Sequence, residues 1–262
     1  MKIVSLMENT SCSPSLHAEH GLSLYIETQG VKILFDAGQS DLFSENAAQL
    51  GVPLEQVDMA VLSHGHYDHS GGLQRFLEIN DHACIYMNRG ASGEHWSGDD
   101  HYIGIDRTLM DSGRVVLTDD EMQLTPFMRL LSCNGRHAKY PSSGQGLTIR
   151  EGNIFTQDAF LHEQYLEITE NGRRILISGC SHKGILNIMD WMQPDVLVGG
   201  FHFMKIDPAT GADALRQAAR TLLSWPAEYY TGHCTGASQF DFLKTIMGER
   251  LHDLSAGTEI NL

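Results

Sequence analysis

Several features are scarce in this 262-residue chain, and each scarcity excludes a class of protein. No stretch approaches the roughly 18 consecutive apolar residues that a membrane-spanning helix requires. The apolar segment at the N-terminus ends at Met7. It is too short for the apolar region of a secretory signal peptide, so we expect a cytoplasmic protein.

Cysteines are few and scattered along the chain. Their number is odd and no two form a C-x-x-C pair, which argues against a disulfide scaffold and against a structural zinc knuckle. We therefore expect free thiols, most of them buried. The five residues are Cys12, Cys84, Cys133, Cys180 and Cys234.

Positive charge is also scarce, since 18 Lys and Arg residues face 33 Asp and Glu residues and the formal net charge is −15. Nucleic acid and anionic membrane surfaces would be repelled on average, so we expect neither as a partner. A small-molecule substrate is the expected partner, and association into a homo-oligomer stays open. The 14 histidines still allow a local cationic centre, because a divalent metal ion outweighs distant carboxylates.

The chain does contain two similar sets of predicted strands and helices. Apolar runs on either side of Gln29-Gly30 and of Asn171-Gly172 predict two β-hairpins. Short apolar runs predict buried strands, each followed by a polar loop that carries histidine. These strands cover residues 59–63, 196–199 and 228–231. Helical spacing predicts helices over residues 42–50, 73–78, 184–192 and 212–224, and from Ser238 onward.

Residues 88–152 differ from the rest of the chain, because they are rich in Gly, Ser, Asp and aromatic residues. We interpret this stretch as a lid-like insertion over a site, within a single domain that covers residues 1–262. No sequence period typical of a repeat protein is visible.

The strongest chemical signal is the segment His64-Gly65-His66-Tyr67-Asp68-His69, which follows the strand predicted at 59–63. Neutral imidazole and carboxylate groups are the ligands that zinc-like divalent metals take, and a loop that carries four of them can serve two neighbouring ions. Gly65 would let the backbone turn tightly, so that the flanking histidines converge. The alternative is a histidine-rich surface loop, which the preceding buried strand disfavours.

This motif resembles the signature of the metallo-β-lactamase superfamily, and the resemblance covers essentially the whole chain. A further set of segments is similar to a subgroup, the dihydropterin-ribofuranosylaminobenzene-phosphate synthase-like proteins. These segments are Glu19-His20-Gly21, Phe35-Asp-Ala-Gly-Gln-Ser40, Ser178-Gly-Cys-Ser-His182, Gly199-Gly-Phe-His202 and His233-Cys-Thr-Gly236. The resemblance implies a four-layer αββα sandwich, in which two mixed β-sheets are flanked by helices.

The resemblance also implies a metal centre with one or two zinc ions, for which iron or manganese are alternatives. The ligands implied are His64, His66, Asp68, His69 and His233. The superfamily's bridging carboxylate or thiolate falls on Cys180, and two interpretations stay open. Either the thiolate binds, or His182 supplies the ligand instead. We expect His182 to bind, with Cys180 as an even alternative, because a thiolate selects against hard metals.

Other residues are assigned to the surroundings of the metals. Asp36 is expected to hold the metal loop from behind, since carboxylates orient metal-binding imidazoles. His202 is assigned to substrate binding or proton transfer, and the middle histidine of the superfamily falls near His162. Residues assigned to the substrate pocket are Glu19, His20 and Glu163. Histidines interpreted as ordinary surface or core residues are His82, His95 and His101.

The predicted activity is hydrolysis of a polar small molecule by a metal-activated water. Asp68 would orient that water and take its proton, and His202 would stabilise the oxyanion or protonate the leaving group. Synthase or transferase chemistry on a pterin or ribose-phosphate compound is the alternative that the subgroup implies. An iron-containing redox protein or a non-catalytic ligand-binding protein is the alternative from another class, and the intact motif disfavours a non-catalytic role.

Overall fold

Two seven-stranded β-sheets form the centre of the computed structural model, which describes residues 1–262. The strands are β1 Lys2–Met7, β2 Ser23–Thr28, β3 Val31–Phe35, β4 Met59–Leu62, β5 Cys84–Asn88, β6 Glu94–Ser97, β7 His101–Tyr102, β8 Val115–Thr118, β9 Glu121–Thr125, β10 Met128–Leu131, β11 Leu147–Glu151, β12 Ile154–Gln157, β13 Tyr165–Glu170, β14 Arg173–Ile177, β15 Val196–Val198, β16 Glu228–Thr231, β17 Leu251–Asp253 and β18 Glu259–Asn261. The helices are α1 Leu42–Leu50, α2 Tyr67–Ser70, α3 Leu73–Ile79, α4 Ile185–Met192, α5 Ala212–Leu222 and α6 Ala237–Met247.

The two sheets have the same plan. The first has the order β18-β1-β2-β3-β4-β5-β8, with antiparallel pairing from β18 to β3 and parallel pairing from β3 to β8. The second has the order β17-β16-β15-β14-β13-β10-β9, with parallel pairing from β17 to β14 and antiparallel pairing from β14 to β9. The two similar halves predicted from the sequence are therefore two mixed sheets.

Alternation of side chains along the strands builds three apolar layers. Ile33 and Phe35 of β3 point into a cluster of 17 buried residues that both sheets share. Leu34, between them, points to the opposite face and packs with Phe43 and Phe76 of the helices α1 and α3. A third cluster lies between the second sheet and α4, α5 and α6. This is the four-layer αββα arrangement predicted from the sequence.

Both predicted hairpins are present, and their turns explain the residues found there. Gln29 and Gly30 have positive φ, as do Asn171 and Gly172. A two-residue turn whose central residues both have positive φ matches the twist of the flanking strands, and Asn and Gly adopt that conformation at low cost. Each hairpin delivers one strand to the edge where the histidine loops meet.

Residues 88–152 do not form one insertion, contrary to the prediction. The strands β8, β9 and β10 from this stretch belong to the two main sheets, whereas β6, β7, β11 and β12 form a separate four-stranded antiparallel sheet. A small core of Ile103, Leu147 and Phe160 lies beside this third sheet. Turn-rich composition marks the whole stretch, and it does not show which of its strands pair with distant ones.

Two smaller points complete the fold. All five cysteines are free thiols, but only Cys180 and Cys234 are buried, so the expectation that most are buried is wrong. None of the helices has the length and apolar character needed to cross a membrane.

Candidate metal centre

The histidine loops meet because they follow parallel strands, whose carboxyl ends lie along one edge of each sheet. The loop after β4 carries the motif, the loop after β14 carries Cys180 and His182, and the loop after β16 carries His233. Ligand sites in α/β proteins commonly form at this end of the strands. Ligand-type side chains from distant parts of the chain therefore converge there.

The first ligand group consists of His64, His66 and His182, all buried. The Nε2 atom of His64 lies 3.0 Å from Nδ1 of His66 and 3.2 Å from Nε2 of His182. The ring of His182 is stacked on Phe160, with ring centroids 4.3 Å apart. Three imidazole nitrogens thus face a common point.

The second ligand group consists of Asp68, His69, Cys180 and His233, also buried. Nε2 of His69 lies 3.2 Å from Sγ of Cys180 and 3.7 Å from Oδ2 of Asp68. The same carboxylate oxygen lies 3.3 Å from Nε2 of His233. The sequence left Cys180 and His182 as alternatives, and the structure places them in different groups, so that both can serve as ligands.

Asp36 contacts the second group directly and the first group through Ser63. Its Oδ2 accepts hydrogen bonds from Nδ1 of His69 and from the hydroxyl of Ser63, each at 2.7 Å. That hydroxyl in turn lies 2.8 Å from Nδ1 of His64. With Nδ1 of each ring turned to these partners, Nε2 of His64 and of His69 is directed at the metal groups, the orientation that metal-binding imidazoles require.

Asn9 has the corresponding role for His233. Its Oδ1 lies 2.8 Å from Nδ1 of His233, which leaves Nε2 directed at Asp68. The backbone N–H of His233 donates to the carboxylate of Glu8, whose pKa burial raises to about 8. Neither Glu8 nor Asn9 was identified from the sequence, because nothing local connects the loop after β1 with the loop after β16.

Gly65 is required for a different reason from the one predicted. Its φ is not in the positive region, so the backbone does not need glycine there for its conformation. A Cβ at this position would instead collide with the carbonyl oxygen of Ala91. Glycine lets the metal loop lie directly against the 3₁₀ turn after β5.

The donor sets fit divalent metal ions. In tetrahedral geometry with metal–nitrogen bonds of about 2.0–2.1 Å, ligand atoms lie about 3.3 Å apart, close to the separations seen here. Nε2 of His233, which faces the second ligand group, is buried and makes no hydrogen bond, although Oδ2 of Asp68 lies 3.3 Å away. Burial lowers the pKa of His64, His66 and His182 well below the ordinary value, and the neighbouring imidazoles act in the same direction on His64 and His182. These rings are thus neutral, as ligands must be.

The thiol of Cys180 depends on a bound ion to ionise. Burial raises its pKa well above the ordinary value, and the neighbouring Cys234 acts in the same direction. A coordinated cation reverses that balance, because it supplies the opposite charge that a thiolate needs. Burial also favours the neutral form of Asp68, yet the pKa of Asp68 is held well below its ordinary value by His69, His20 and His233.

Backbone strain is concentrated around the ligand groups. Asp36, Ser181, His202 and His233 all have positive φ although none is glycine. Each such residue costs roughly 1–3 kcal/mol and persists only where surrounding contacts enforce it. The fold therefore maintains unfavourable local conformations in the loops that present the ligands.

The ligand groups open into a cavity of about 210 Å³. His202 lines it beside His182, with ring centroids 4.4 Å apart, and the Nδ1 atom of His202 has no partner. Burial lowers the pKa of His202 to about 4, and Lys205 acts in the same direction. The other residues that line the cavity are His20, His66, Tyr67, Asp68, Ser97, His101, Ile103, Leu147, Cys180, His182, Met204, Lys205, His233 and Cys234.

Two residues assigned to the substrate pocket have other positions. Glu19 accepts hydrogen bonds from the backbone N–H groups of Gln39 and Ser40, which ties it to the loop after β3. Glu163 is fully buried and accepts hydrogen bonds from the backbone N–H groups of His182 and Lys183 and from the hydroxyl of Tyr165. Neither lines the cavity. Glu163 instead fixes the loop that carries His182.

Two buried residues beside the first ligand group, His95 and Asp158, were not identified as site residues from the sequence, whereas His162 was named there as the place of the superfamily's middle histidine. His95, interpreted there as an ordinary residue, lies with Asp158 and His162 within reach of His66. His101, interpreted in the same way, lines the cavity at its exposed rim. No motif or characteristic spacing in the sequence could have identified Asp158.

The architecture is that of the metallo-β-lactamase fold, and two adjacent groups of buried side chains could hold metal ions. The model of the metallo-beta-lactamase superfamily matches residues 18–160. Tm1679, described as a metal-dependent hydrolase of the beta-lactamase superfamily, superposes with a TM-score of 0.81 and 26% identity, covering 100% of this chain and 99% of that one. The chain belongs to the metallo-beta-lactamase superfamily.

Two proteins of Methanocaldococcus jannaschii are similar in sequence. One, named 7,8-dihydropterin-6-methyl-4-(beta-D-ribofuranosyl)-aminobenzene-5'-phosphate synthase, is 27% identical over 98% of this chain and 95% of its own length. The other, the uncharacterized protein MJ0448, is 29% identical over 77% of this chain and 79% of its own. The resemblance to the dihydropterin synthase-like subgroup stated from the sequence is thereby confirmed.

Proposed function

We propose that this protein is a metal-dependent hydrolase that acts on a small anionic molecule. The observation that carries the proposal is that two adjacent ligand groups open into one cavity. Ring centroids of His64 in the first group and His69 in the second lie 4.3 Å apart. When bound, divalent ions at such a site supply an activated water and polarise the bond to be broken.

The charge of the cavity supports an anionic substrate. The protein carries a formal net charge of −15, yet the only carboxylate that lines the cavity is Asp68, which is engaged by three histidines. Lys205 lines the cavity and forms no salt bridge or hydrogen bond with the protein. An unpaired ammonium group on the rim of such a site attracts a phosphate or carboxylate group.

Four side chains have distinct parts in the proposed reaction. Asp68 accepts the proton that the attacking water loses, and His20, with Nε2 3.3 Å from Oδ2 of Asp68, offers that proton a route toward solvent. His202, neutral at pH 7 because of its lowered pKa, donates a hydrogen bond to the oxyanion that develops. Lys205 binds the anionic group of the substrate.

The test uses the full chain, stripped of metal by chelation and reloaded separately with Zn²⁺, Mn²⁺, Fe²⁺ or Co²⁺. The probes are bis(p-nitrophenyl) phosphate, p-nitrophenyl phosphate and the neutral ester p-nitrophenyl acetate. We expect metal-dependent release of nitrophenol, with a preference for an anionic probe. Lys205→Ala should raise KM for that probe about 10-fold with little change in kcat, the size of a single charge-assisted contact at an exposed site.

The outcomes separate the alternatives. Tight metal binding without metal-dependent turnover of any probe contradicts the hydrolase. Formation of the compound for which the Methanocaldococcus relative is named would support a synthase instead. A preference for the neutral ester, unchanged by Lys205→Ala, would retain the hydrolase and remove the anionic substrate. Lys2→Ala, far from the cavity in a surface pair with Glu259, is the matched control.

A further inference from the structure

A third group of potential ligand atoms lies beside the first ligand group. His66, His95, Asp158 and His162 are all buried, and their nitrogen and oxygen atoms lie within 4.8 Å of one another. By residue type this group is as suitable for a divalent ion as the other two. Its hydrogen-bond partners decide what it does.

The partners of His162 exclude a ligand role for its ring. The backbone N–H of Gly65 donates to Nδ1 of His162 at 3.0 Å, so Nδ1 carries the lone pair. With Nδ1 occupied as an acceptor, the ring carries its proton on Nε2. This N–H faces Oδ2 of Asp158 at 3.2 Å. Both nitrogens are therefore already used.

Asp158 is held by three donors. Besides His162, Nδ1 of His95 lies 2.8 Å from its Oδ2, and the backbone N–H of Phe160 donates to its Oδ1 at 2.7 Å. Burial by itself raises the pKa of Asp158, but the hydrogen bonds from His162 and His95 outweigh that effect and hold it below its ordinary value. Asp158 is thus an anionic acceptor that selects the Nε2–H tautomer of His162.

We propose that Asp158 and His95 hold His162 in one tautomer, and that His162 positions the metal loop through the N–H of Gly65. The three residues, called here the support group, are positioning residues and form no third metal site. Gly65 lies between His64 and His66, and the carbonyl of Ala91 closes its other side. The first ligand group is therefore set from two directions. The proposal depends on metal binding at that group and not on which reaction follows.

The tautomer provides a specific test. In Asp158→Asn the new amide can donate a hydrogen bond to Nε2 of His162, which shifts the ring proton to Nδ1. The N–H at Nδ1 and the backbone N–H of Gly65 would then be two donors facing each other, so their hydrogen bond is lost. His162→Leu removes the acceptor altogether. His162→Asn places an amide oxygen close to the position of Nδ1 and can restore the bond to Gly65. Asp81→Asn is the matched control, since Asp81 and His82 form an exposed carboxylate–imidazole pair at 3.2 Å.

The measurements are zinc affinity and stoichiometry, by competition with a chromophoric chelator, and the visible spectrum of the Co²⁺-loaded protein. We expect Asp158→Asn and His162→Leu to lower the affinity of the first ligand group for zinc by about 10- to 100-fold, which is the usual cost of losing a residue that orients a metal site. Their Co²⁺ spectra should change as well. His162→Asn and Asp81→Asn should both remain close to the wild type.

Three outcomes would overturn the proposal. The first is a zinc affinity that is as weak in His162→Asn as in His162→Leu, together with equal losses of thermal stability in the two metal-free variants. That result would mean that His162 contributes only packing and not the hydrogen bond to Gly65. The second is unchanged affinity in Asp158→Asn and His162→Leu. The third is a wild-type protein that binds three ions and a variant at Asp158 that binds two, since that result makes the support group a metal site.

Discussion

The first ligand group and the support group lie side by side, are both buried and are both rich in histidine, although only the support group contains a carboxylate. In the first ligand group Nε2 of His64 faces two other imidazole nitrogens, at 3.0 and 3.2 Å. In the support group Nδ1 of His162 faces a backbone N–H, and its Nε2 faces a carboxylate. Partner geometry, rather than composition or burial, therefore distinguishes a metal site from a hydrogen-bonded network.

The carboxylates of Asp36 and Asp158 also differ in their hydrogen-bond partners. Asp36 bonds directly to His69 and reaches His64 through one hydroxyl, so it orients ligands of both groups. Asp158 acts through His162 on the backbone of the metal loop, one step further from the ions. Loss of each carboxylate should therefore affect different ions, and to different extents.

The largest effect is expected at the first ligand group itself. His64→Ala removes the nitrogen that both other imidazoles face, so we expect loss of at least one bound ion. Metal-dependent turnover should fall by more than about 100-fold, beyond the cost of losing a supporting residue. Elemental analysis and kinetics with bis(p-nitrophenyl) phosphate measure both effects.

The fold should survive that change. Apolar clusters of 20, 19 and 17 buried residues stabilise the sheets independently of any metal. Cooperative thermal unfolding of the metal-free His64→Ala protein is therefore expected. A metal-free protein without a cooperative transition would show that folding and metal binding are coupled.

A second pair of variants tests the assignment of Cys180 and His182 to different groups. Cys180→Ser should lower the metal affinity of the second ligand group, and it should abolish the sulfur-to-metal charge-transfer band of the Co²⁺ protein. His182→Ala should remove the ion of the first group and leave that band intact. Absence of the band from the wild-type Co²⁺ protein would mean that the thiol of Cys180 only lines the cavity, as one of the two interpretations from the sequence held.

The smallest effect sharpens the comparison of the two carboxylates. Asp36→Asn should lower the metal affinity of both ligand groups, by about 10- to 100-fold each, because it disturbs the tautomers of His64 and His69 together. Asp158→Asn should lower the metal affinity of the first ligand group only. Separate titration of the two ions with Co²⁺, followed by the charge-transfer band for the second group, distinguishes them. Equal effects of both variants on both ions would show that the centre responds as one unit.

Much of the architecture was predictable from local patterns. The helix over 42–50 and the strand over 228–231 were predicted with the bounds that the structure shows, since apolar spacing and turn residues act locally. The strands β17 and β18 were not predicted, because each is three residues long and depends on its partners. The separation of β8, β9 and β10 from the third sheet was missed because their pairing with strands of the main sheets is not visible in the local sequence.

In the candidate site, too, local sequence patterns identified some residues and missed those that depend on distant contacts. Glu19 and Glu163 were assigned to the pocket from their place in matching segments, but their carboxylates bond to loop backbone instead. Lys205 and His101 line the cavity although no motif contains them. Position in a motif thus identified side chains that converge at one edge of the sheets, but it did not identify the cavity wall, because that wall is assembled from segments far apart in the chain.

The sequence by itself determined the strand and loop that present His64, His66, Asp68 and His69, because these residues lie within six positions and follow one apolar strand. Only the tertiary structure decided that His182 joins the first ligand group and Cys180 the second. His64 and His182 are 118 positions apart, and His69 and Cys180 are 111 apart. Contacts over such distances depend on how the two sheets pack, and the choice between a metal ligand and a hydrogen-bonded support depends on atoms that packing alone brings together.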